Sequence, residues 1–313
     1  MKKSVKFLVI GLCLVSFSAA AFIVTVNVRG NCDGYSLPQG FEESLQNADT
    51  TRNPSAYSRI MSANLLANYE SWGGTDAHKR AKIFFKILDT YRPDVVAIQE
   101  MSNQWYCCIT KNKGSYQLIY PISSGILYHM TGLMYNSQTV TLLDYGRMEY
   151  TQGDDPRLRR IVWGYFEDKA TKTRYAVTST HFDLIRSGKE KEELRIMNTQ
   201  ANEQIELAAE LGKRFGCAVY CAGDFNSMDN GGYENEYFAP SIYNKITDTL
   251  TDTKYIAECK TQGNSRKVDK PTFDHIFLKG EATVCRYSIL SDEIMSQMSD
   301  HFIIFADVAK AEQ

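Results

Sequence analysis

The run Cys217-Ala218-Val219-Tyr220-Cys221-Ala222-Gly223-Asp224-Phe225-Asn226 sets the architecture. Its first six residues are apolar, short and closed by glycine, which reads as a buried β-strand. The strand gives way at once to Asp224 and Asn226, side chains that can bind a cation or handle a proton. The same construction recurs along the chain. Glu100 closes Val95-Val96-Ala97-Ile98-Gln99, and His181 closes Tyr175-Ala176-Val177-Thr178-Ser179-Thr180. Asp274 opens the strand that continues through Ile276-Phe277-Leu278, and Asp300-His301 precede Phe302-Ile303-Ile304-Phe305. Strand ends on one edge of a sheet converge in space, so these residues can share one site.

The intervening chain fits a sheet-rich domain. Residues 59–64 read as a first strand. Asp76 caps a helix with Ile83, Phe84, Ile87, Leu88 and Tyr91 at helical spacing, ended by Pro93. Residues 132–136 and 140–143 read as two paired strands. Residues 161–167 and 174–180 read as two more, joined by a polar turn over 168–172. Residues 190–215 form the longest expected helix, with Leu194, Met197, Ala201, Ile205, Ala208 and Leu211 as its stripe and Gly216 as its stop. Late strands are expected at 274–278, 282–289 and 302–308. Many strands and few helices imply packed sheets with helices outside.

Composition sets the class. With 43% apolar and 23% charged residues in 313, the chain can bury a core and is not disordered by default. A net charge of -2 gives no polycationic signature of bulk nucleic-acid binding. Lys2, Lys3 and Lys6 precede an apolar run from Phe7 to about Val28, the layout of an export signal. Ser18, Ala19, Ala20 and Ala21 offer a cleavage site, yet the run is long enough to span a bilayer uncleaved, so residues 1–29 are a signal peptide or a membrane anchor. Either way the positive-inside rule leaves the rest outside the cytoplasm, secreted or membrane-anchored. Residues 30–55 are polar and read as a linker, and residues 56–313 as one domain, expected to act as a monomer. Outside Cys13, which lies in the apolar run, the cysteines number seven, so they cannot all pair within one chain. Cys217 and Cys221, four apart on a strand, lie roughly 13 Å apart and are not a disulfide.

Three of the five histidines (His181, His275, His301) fall at strand ends beside carboxylates. Oxygen donors such as Glu100 and Asn64 suit a hard cation, and an imidazole oriented by a carboxylate suits proton transfer. His275 is expected to flank the site, His78 and His129 to be surface residues, Asp183 to be a site residue or, preferably, a turn former, and Asp154-Asp155 to be a solvated turn.

Taken in order, Asn64, Gln99-Glu100, Thr180-His181-Phe182-Asp183, Gly223-Asp224-Phe225-Asn226, Phe273-Asp274-His275-Ile276 and Ser299-Asp300-His301 resemble the endonuclease/exonuclease/phosphatase superfamily, whose best-known member is deoxyribonuclease I. The resemblance spans about residues 56–309. It implies a deoxyribonuclease I-like α+β fold, a four-layer sandwich of two packed mixed β-sheets flanked by helices. It implies a phosphoester hydrolase using Mg²⁺, or Mn²⁺ or Ca²⁺. Glu100 would bind the metal with Asn64 helping, and Asp300 would be a further metal or supporting carboxylate. Asp224 would align or deprotonate the attacking water, Asn226 would hold a phosphate oxygen, and Asp274 would orient His301 for proton transfer. His181 would be the second imidazole. Arg159, ahead of Trp163 and Phe166, fits the family's phosphate-facing arginine, with Arg160 adjacent.

The substrate stays open between nucleic acid and a phospholipid head group. Lys270-Pro271-Thr272-Phe273-Asp274 is similar to inositol polyphosphate phosphatases, but His275 stands where they carry arginine and Ala222 where they carry tryptophan. Tyr145, Arg147, Arg157 and Arg160 are available for a nucleic-acid groove. Tyr237-Phe238-Ala239-Pro240 is the candidate apolar hairpin for a sphingomyelin surface. A surface binding module on the same fold would need no catalysis, but none of the motif residues is lost. The expectation is an extracellular nuclease-type phosphodiesterase.

Overall fold

A computed structural model describes residues 36–46, 48–53, 56–67, 76–119, 130–153, 159–229, 238–262, 272–290, 295 and 297–310. In chain order the first half runs α1 (Phe41–Gln46), β1 (Ser58–Asn64), α2 (Ala77–Tyr91), β2 (Val95–Met101), α3 (Asn103–Asn112), β3 (Tyr116–Ile119), β4 (Met130–Asn136), β5 (Val140–Glu149) and β6 (Arg160–Asp168). The second half runs β7 (Arg174–His181), α4 (Glu190–Phe215), β8 (Ala218–Asp224), α5 (Pro240–Thr247), β9 (Thr251–Asp252), α6 (Thr253–Ile256), β10 (Cys259–Gln262), β11 (Asp274–Lys279), β12 (Thr283–Ile289) and β13 (Ile304–Ala309).

Two mixed sheets result. One has strand order β10-β12-β13-β1-β2-β4-β3, the other β5-β6-β7-β8-β11-β9. Strand alternation divides the core into three. Val95 and Ala97 of β2 and Tyr220 and Ala222 of β8 meet between the sheets. Val96 and Ile98 turn outward onto α1, α2 and α3, and Val219 and Cys221 turn outward onto α4 and α5. A period of two on strands buried on both faces makes helix–sheet–sheet–helix the arrangement that covers all apolar rows. This is the four-layer α+β sandwich implied by the sequence.

Each sheet contains one β–helix–β crossover between parallel neighbours: β1–α2–β2, and β7–α4–β8. Parallel strands point their carboxyl ends the same way, so Asn64 and Glu100 emerge together on one sheet, and His181 and Asp224 together on the other. The antiparallel neighbour β11 begins where β8 ends, which puts Asp274 opposite Asp224. Helix α4 matches its expected bounds, and Gly216 caps it in the left-handed conformation that glycine adopts without strain. Asp76 caps α2 as expected, its carboxylate accepting from the His78 amide at 2.9 Å.

Some expectations are corrected. Strands β4 and β5 are not paired with each other: β2 and β3 already take both edges of β4, so the chain crosses at residues 137–139 to pair β5 with β6 in the other sheet. His78 is buried beside Asp76 rather than a surface residue. The stretch read as a linker is docked over much of its described length. Phe41 and Leu45 enter the outer core, and Arg286 donates to the Asp49 and Thr51 carbonyls. Cys217 and Cys221 are both free, and Cys221 is a small core residue; among the described residues no disulfide forms. Residues 1–35, His129, Asp154-Asp155, Arg157, Tyr237 and Lys270-Pro271 lie outside the described residues. No helix among those described is long and apolar enough to cross a membrane.

Candidate active site

The polar residues gather where the two sheets end. In the second sheet, cross-strand register places His181 beside Asp224 and Asp224 beside Asp274. His181 Nε2 lies 3.3 Å from Asp224 Oδ2. His301, from the loop before β13, donates from Nδ1 to Asp274 Oδ2 at 2.8 Å and turns Nε2 toward Asp224 Oδ2 at 3.7 Å. A carboxylate can only accept, so the Asp274 contact fixes a proton on Nδ1. From the first sheet, Asn64 Nδ2 donates to Asp224 Oδ2 at 3.0 Å and to Glu100 Oε1 at 3.2 Å. Glu100 Oε2 accepts from the Ala67 amide at 2.9 Å. Just beneath, Gln99 Nε2 donates to Ser179 Oγ, and Ser179 Oγ donates to the Ile98 carbonyl, both at 3.1 Å. These bonds stitch the sheets together under the site.

Local backbone conformation aims the side chains. Glu100 takes a left-handed φ of 54° where the β2–β4 register slips between Ile98 and Met101. A bulge of this kind re-aims one side chain out of the strand alternation. Asn226 is also left-handed, at φ 46°, and its amide donates to Asp224 Oδ1 at 2.9 Å. Gly223 is required by close approach: a Cβ there would stand 2.2 Å from the Thr180 carbonyl oxygen.

Charges in the cluster reinforce one another. Burial alone would raise the Asp224 carboxyl, but His301 and then His181 outweigh it and hold it well below the usual carboxylate range. Burial raises the Asp274 carboxyl, the Asp224 charge adds to that rise, and His301 offsets only part. Burial works against a charged His301, yet Asp274 and Asp224 together push its imidazole well above the usual histidine range. The two carboxylates thus favour the protonated form of His301, and the two imidazoles favour the ionised form of Asp224.

The donor set fits a hard divalent cation. Its atoms are the carboxylate oxygens of Glu100, Asp224 and Asp274 with imidazole nitrogen nearby, and no thiolate takes part. Asp224, Asp274 and His301 bring ligand atoms within 4.8 Å of one another. Asp274 Oδ1 is buried without a hydrogen-bond partner, so it has capacity for a cation or a water.

The residues singled out in the sequence fall into two groups. Asn64, Glu100, His181, Asp224, Asp274 and His301 are joined by the contacts above. Asn226 borders them, with its Nδ2 donating to the Phe182 carbonyl at 2.9 Å. Asn64, expected to offer an oxygen, presents its nitrogen to the carboxylates while Oδ1 accepts from the Leu66 amide at 3.0 Å. Asp300 is exposed, its Oδ1 3.4 Å from Ser299 Oγ. Arg159 is turned onto the Phe182 carbonyl at 2.6 Å and Asp183 at 3.3 Å, so it shares an acceptor with Asn226. Arg160 is fully buried; strand alternation sends it from β6 on the same side as Val162, the space between the sheets. His275 flanks the site as expected, with Nδ1 donating to Asp252 at 3.2 Å and Nε2 to the Ser227 carbonyl at 2.9 Å.

Asp183 is a correction. It is buried, bonded to Gln200 Nε2 at 2.7 Å and paired with Arg159 at 3.3 Å, and so braces the site, where the sequence favoured a turn former. Arg80 was missed altogether. Buried on α2, it donates to the Leu65 and Met298 carbonyls and lies 5.2 Å over the Trp105 ring. Trp105 Nε1 in turn donates to the Leu66 carbonyl at 3.2 Å. Arg80 thus ties the loop after Asn64 to the loop before His301. The available signal was an arginine in register with Ala77, Phe84 and Ile87 on an apolar helical stripe.

A two-sheet sandwich with carboxylates, amide and imidazoles at one edge, and a hard-cation donor set, defines a metal-assisted phosphoester hydrolase. The sequence profile of the Endonuclease/Exonuclease/phosphatase family matches residues 61–301, and the chain belongs to this family. Its members hydrolyse phosphoesters and depend on a divalent metal. No curated protein matches the sequence. Among solved structures, an endonuclease/exonuclease/phosphatase protein from Bacteroides vulgatus aligns at 18% identity and TM-score 0.64, over 81% of this chain and 98% of that one. The mannosyl-6-phosphatase of Bacteroides thetaiotaomicron aligns at 18% identity and TM-score 0.64, over 80% and 99%. D. rerio TDP2 complexed with single strand DNA product aligns at 17% identity and TM-score 0.58, over 81% and 99%.

Proposed function

We propose that this protein is a divalent-metal phosphodiesterase of the nuclease type. It is exported or held at the membrane by its N-terminal segment, works outside the cytoplasm and acts as a monomer. The observation that carries the hydrolytic part is the His301–Asp274 pair set 3.7 Å from the Asp224 carboxylate. Asp224, kept ionised, accepts a hydrogen bond from water and aligns it for attack on phosphorus. His301 donates to the phosphate or the leaving oxygen, and Asp274 holds the ring in the orientation and tautomer this requires. His181 and Asn64 steady Asp224 from two sides. Glu100, with Asn64 beside it, would hold the cation, Mg²⁺ or Mn²⁺ by donor type, which would neutralise charge building on the phosphate.

The fold leaves the ester open, because the same architecture carries a mannosyl-6-phosphatase and a protein that binds a DNA product. Against a lipid surface, Ala239 of the expected apolar hairpin is fully buried and Pro240 opens the packed helix α5. Against a non-catalytic module, the His301–Asp274 pair is intact and its Nε2 faces Asp224 at 3.7 Å. The lysine-flanked apolar N-terminus supports export.

The test is turnover by the purified protein with Mg²⁺ or Mn²⁺ on DNA, RNA, sphingomyelin vesicles and bis-p-nitrophenyl phosphate. Cleavage of a polynucleotide and of the small diester is expected, lost on chelation. Glu100→Ala and His301→Ala should each abolish turnover with the fold retained by circular dichroism. Full activity in either variant would overturn the site assignment, and four intact substrates would overturn the activity.

A further inference from the structure

We propose that Tyr255 is a stacking platform for a base of a polynucleotide strand, outside the site that cleaves it. This rests on the nuclease reading above and names how that substrate is recognised. Tyr255 is the most exposed large side chain of the short helix α6, 55% accessible. Its hydroxyl is not in solvent: it donates to Asp229, which is paired at 2.8 Å with Lys254 Nζ, and both ionic side chains are buried. Burying an ion pair incurs desolvation that the pair itself repays poorly, so a buried pair fits a positioning role better than a stabilising one. Here it pins the tip of an aromatic ring whose body faces water.

The helix that carries the ring is clamped to the catalytic framework. Asp252 Oδ1 caps it by accepting from the Lys254 amide at 2.9 Å, and Oδ2 accepts from Tyr243 at 3.0 Å and from His275 at 3.2 Å. Thr253 Oγ1 donates to the Ile276 carbonyl at 2.7 Å. His275 follows Asp274 directly, and Asp229 follows Asp224 by five residues, so platform and active row move as one body. Asp252 pairs with Phe277, three residues along β11 from Asp274. From there the chain turns toward the Asp274 end of β11, since Thr253 reaches the Ile276 carbonyl, which sets α6 beside the site and not in it.

Ring orientation selects the partner. An aromatic side chain that enters a bilayer leads with its apolar edge and leaves any hydroxyl at the water side. Tyr255 has its hydroxyl locked inside the protein and cannot insert, but a ring fixed at its tip offers a flat surface at little entropic cost. Every base has a matching flat face. Lys254 Nζ and the exposed Lys260 Nζ of β10 lie over the ring, 5.3 and 5.7 Å from its centroid, and the Lys260 ammonium can swing to the adjoining phosphate of a base that takes its place.

The test compares a single-stranded DNA oligonucleotide with bis-p-nitrophenyl phosphate, which has no flanking base, using the full chain with Mn²⁺. Tyr255→Ala should lower the ratio of kcat/KM for the oligonucleotide to that for the small diester about tenfold, chiefly through KM. Tyr255→Trp should restore most of the ratio, and Lys260→Ala should flatten the salt dependence of the oligonucleotide KM. Turnover of the small diester reports that each variant is folded. An unchanged ratio in Tyr255→Ala, with the wild type cleaving both substrates, overturns the platform and leaves the nuclease reading standing. A wild type that cleaves only the small diester overturns the polynucleotide reading and the platform with it. A Tyr255→Ala loss confined to sphingomyelin vesicles overturns the platform in favour of a lipid contact.

Discussion

Replacing Asp274 with asparagine keeps the shape of its pair with His301 and removes the charge. In the native protein the carboxylate accepts from Nδ1 at 2.8 Å and is buried. Two opposite charges about 4 Å apart in an effective dielectric of about 20 attract by on the order of 4 kcal/mol. Losing all of that would weaken proton binding by His301 about 10³-fold. Asp224 stays 3.7 Å from Nε2 and retains part of the attraction, so proton binding is expected to weaken about 10²-fold, and kcat falls as rising pH depletes the protonated form. The pH dependence should move as well. Burial pulls the imidazole down, and with Asp274 neutral only the charges of Asp224 and, to a smaller extent, Asp300 oppose it. The limb of the pH–rate profile that reports loss of the His301 proton then shifts to lower pH. The assay is kcat for bis-p-nitrophenyl phosphate through and above the neutral range, with circular dichroism as the folding control. A folded variant with native kcat and native profile would refute the assignment of proton transfer to His301.

Three other perturbations have defined outcomes. Gly223→Ala forces a Cβ to within 2.2 Å of the Thr180 carbonyl; urea unfolding should show a loss of about 3 kcal/mol or more, with activity falling as Asp224 shifts. Arg80→Met leaves the buried Leu65 and Met298 carbonyls short of a donor, which costs about 1–3 kcal/mol each. It should also weaken Mn²⁺ binding measured by calorimetry, with Arg80→Lys recovering part of both. For His275, burial lowers its basicity, but the bond and charge of Asp252 and the Ser227 carbonyl outweigh it, so its folded pKa lies above the ordinary 6.5. Its contribution to stability is therefore complete below about pH 6.5 and is lost as pH rises through the folded value. The urea midpoint should drop less between acid and alkaline buffer in His275→Gln than in the wild type.

The sequence by itself determined most of the strands, the long helix and the identity of the chemical groups. A polar residue that ends an apolar β run is a local signal, readable at Glu100, His181, Asp224 and Asp274 without knowing any partner. The alternation of two and the helical stripe are equally local, so the bounds of α4 are legible, while the four-layer arrangement rests on the resemblance carried by the ordered motifs. The tertiary structure alone decided which groups meet and what braces them. Strands β4 and β5 look like a hairpin in sequence, but competition for hydrogen-bonding edges sends them to different sheets. Asp183 looks like a turn residue until Gln200 and Arg159 close on it. Arg80 finds an acceptor at Met298, 218 residues along the chain, and Tyr255 is held by a buried pair whose members are 25 residues apart. Periodicity registers which side of an element is buried. It carries no record of what stands opposite, because hydrogen bonds and ion pairs are set by distances of a few ångströms that only the packed chain creates.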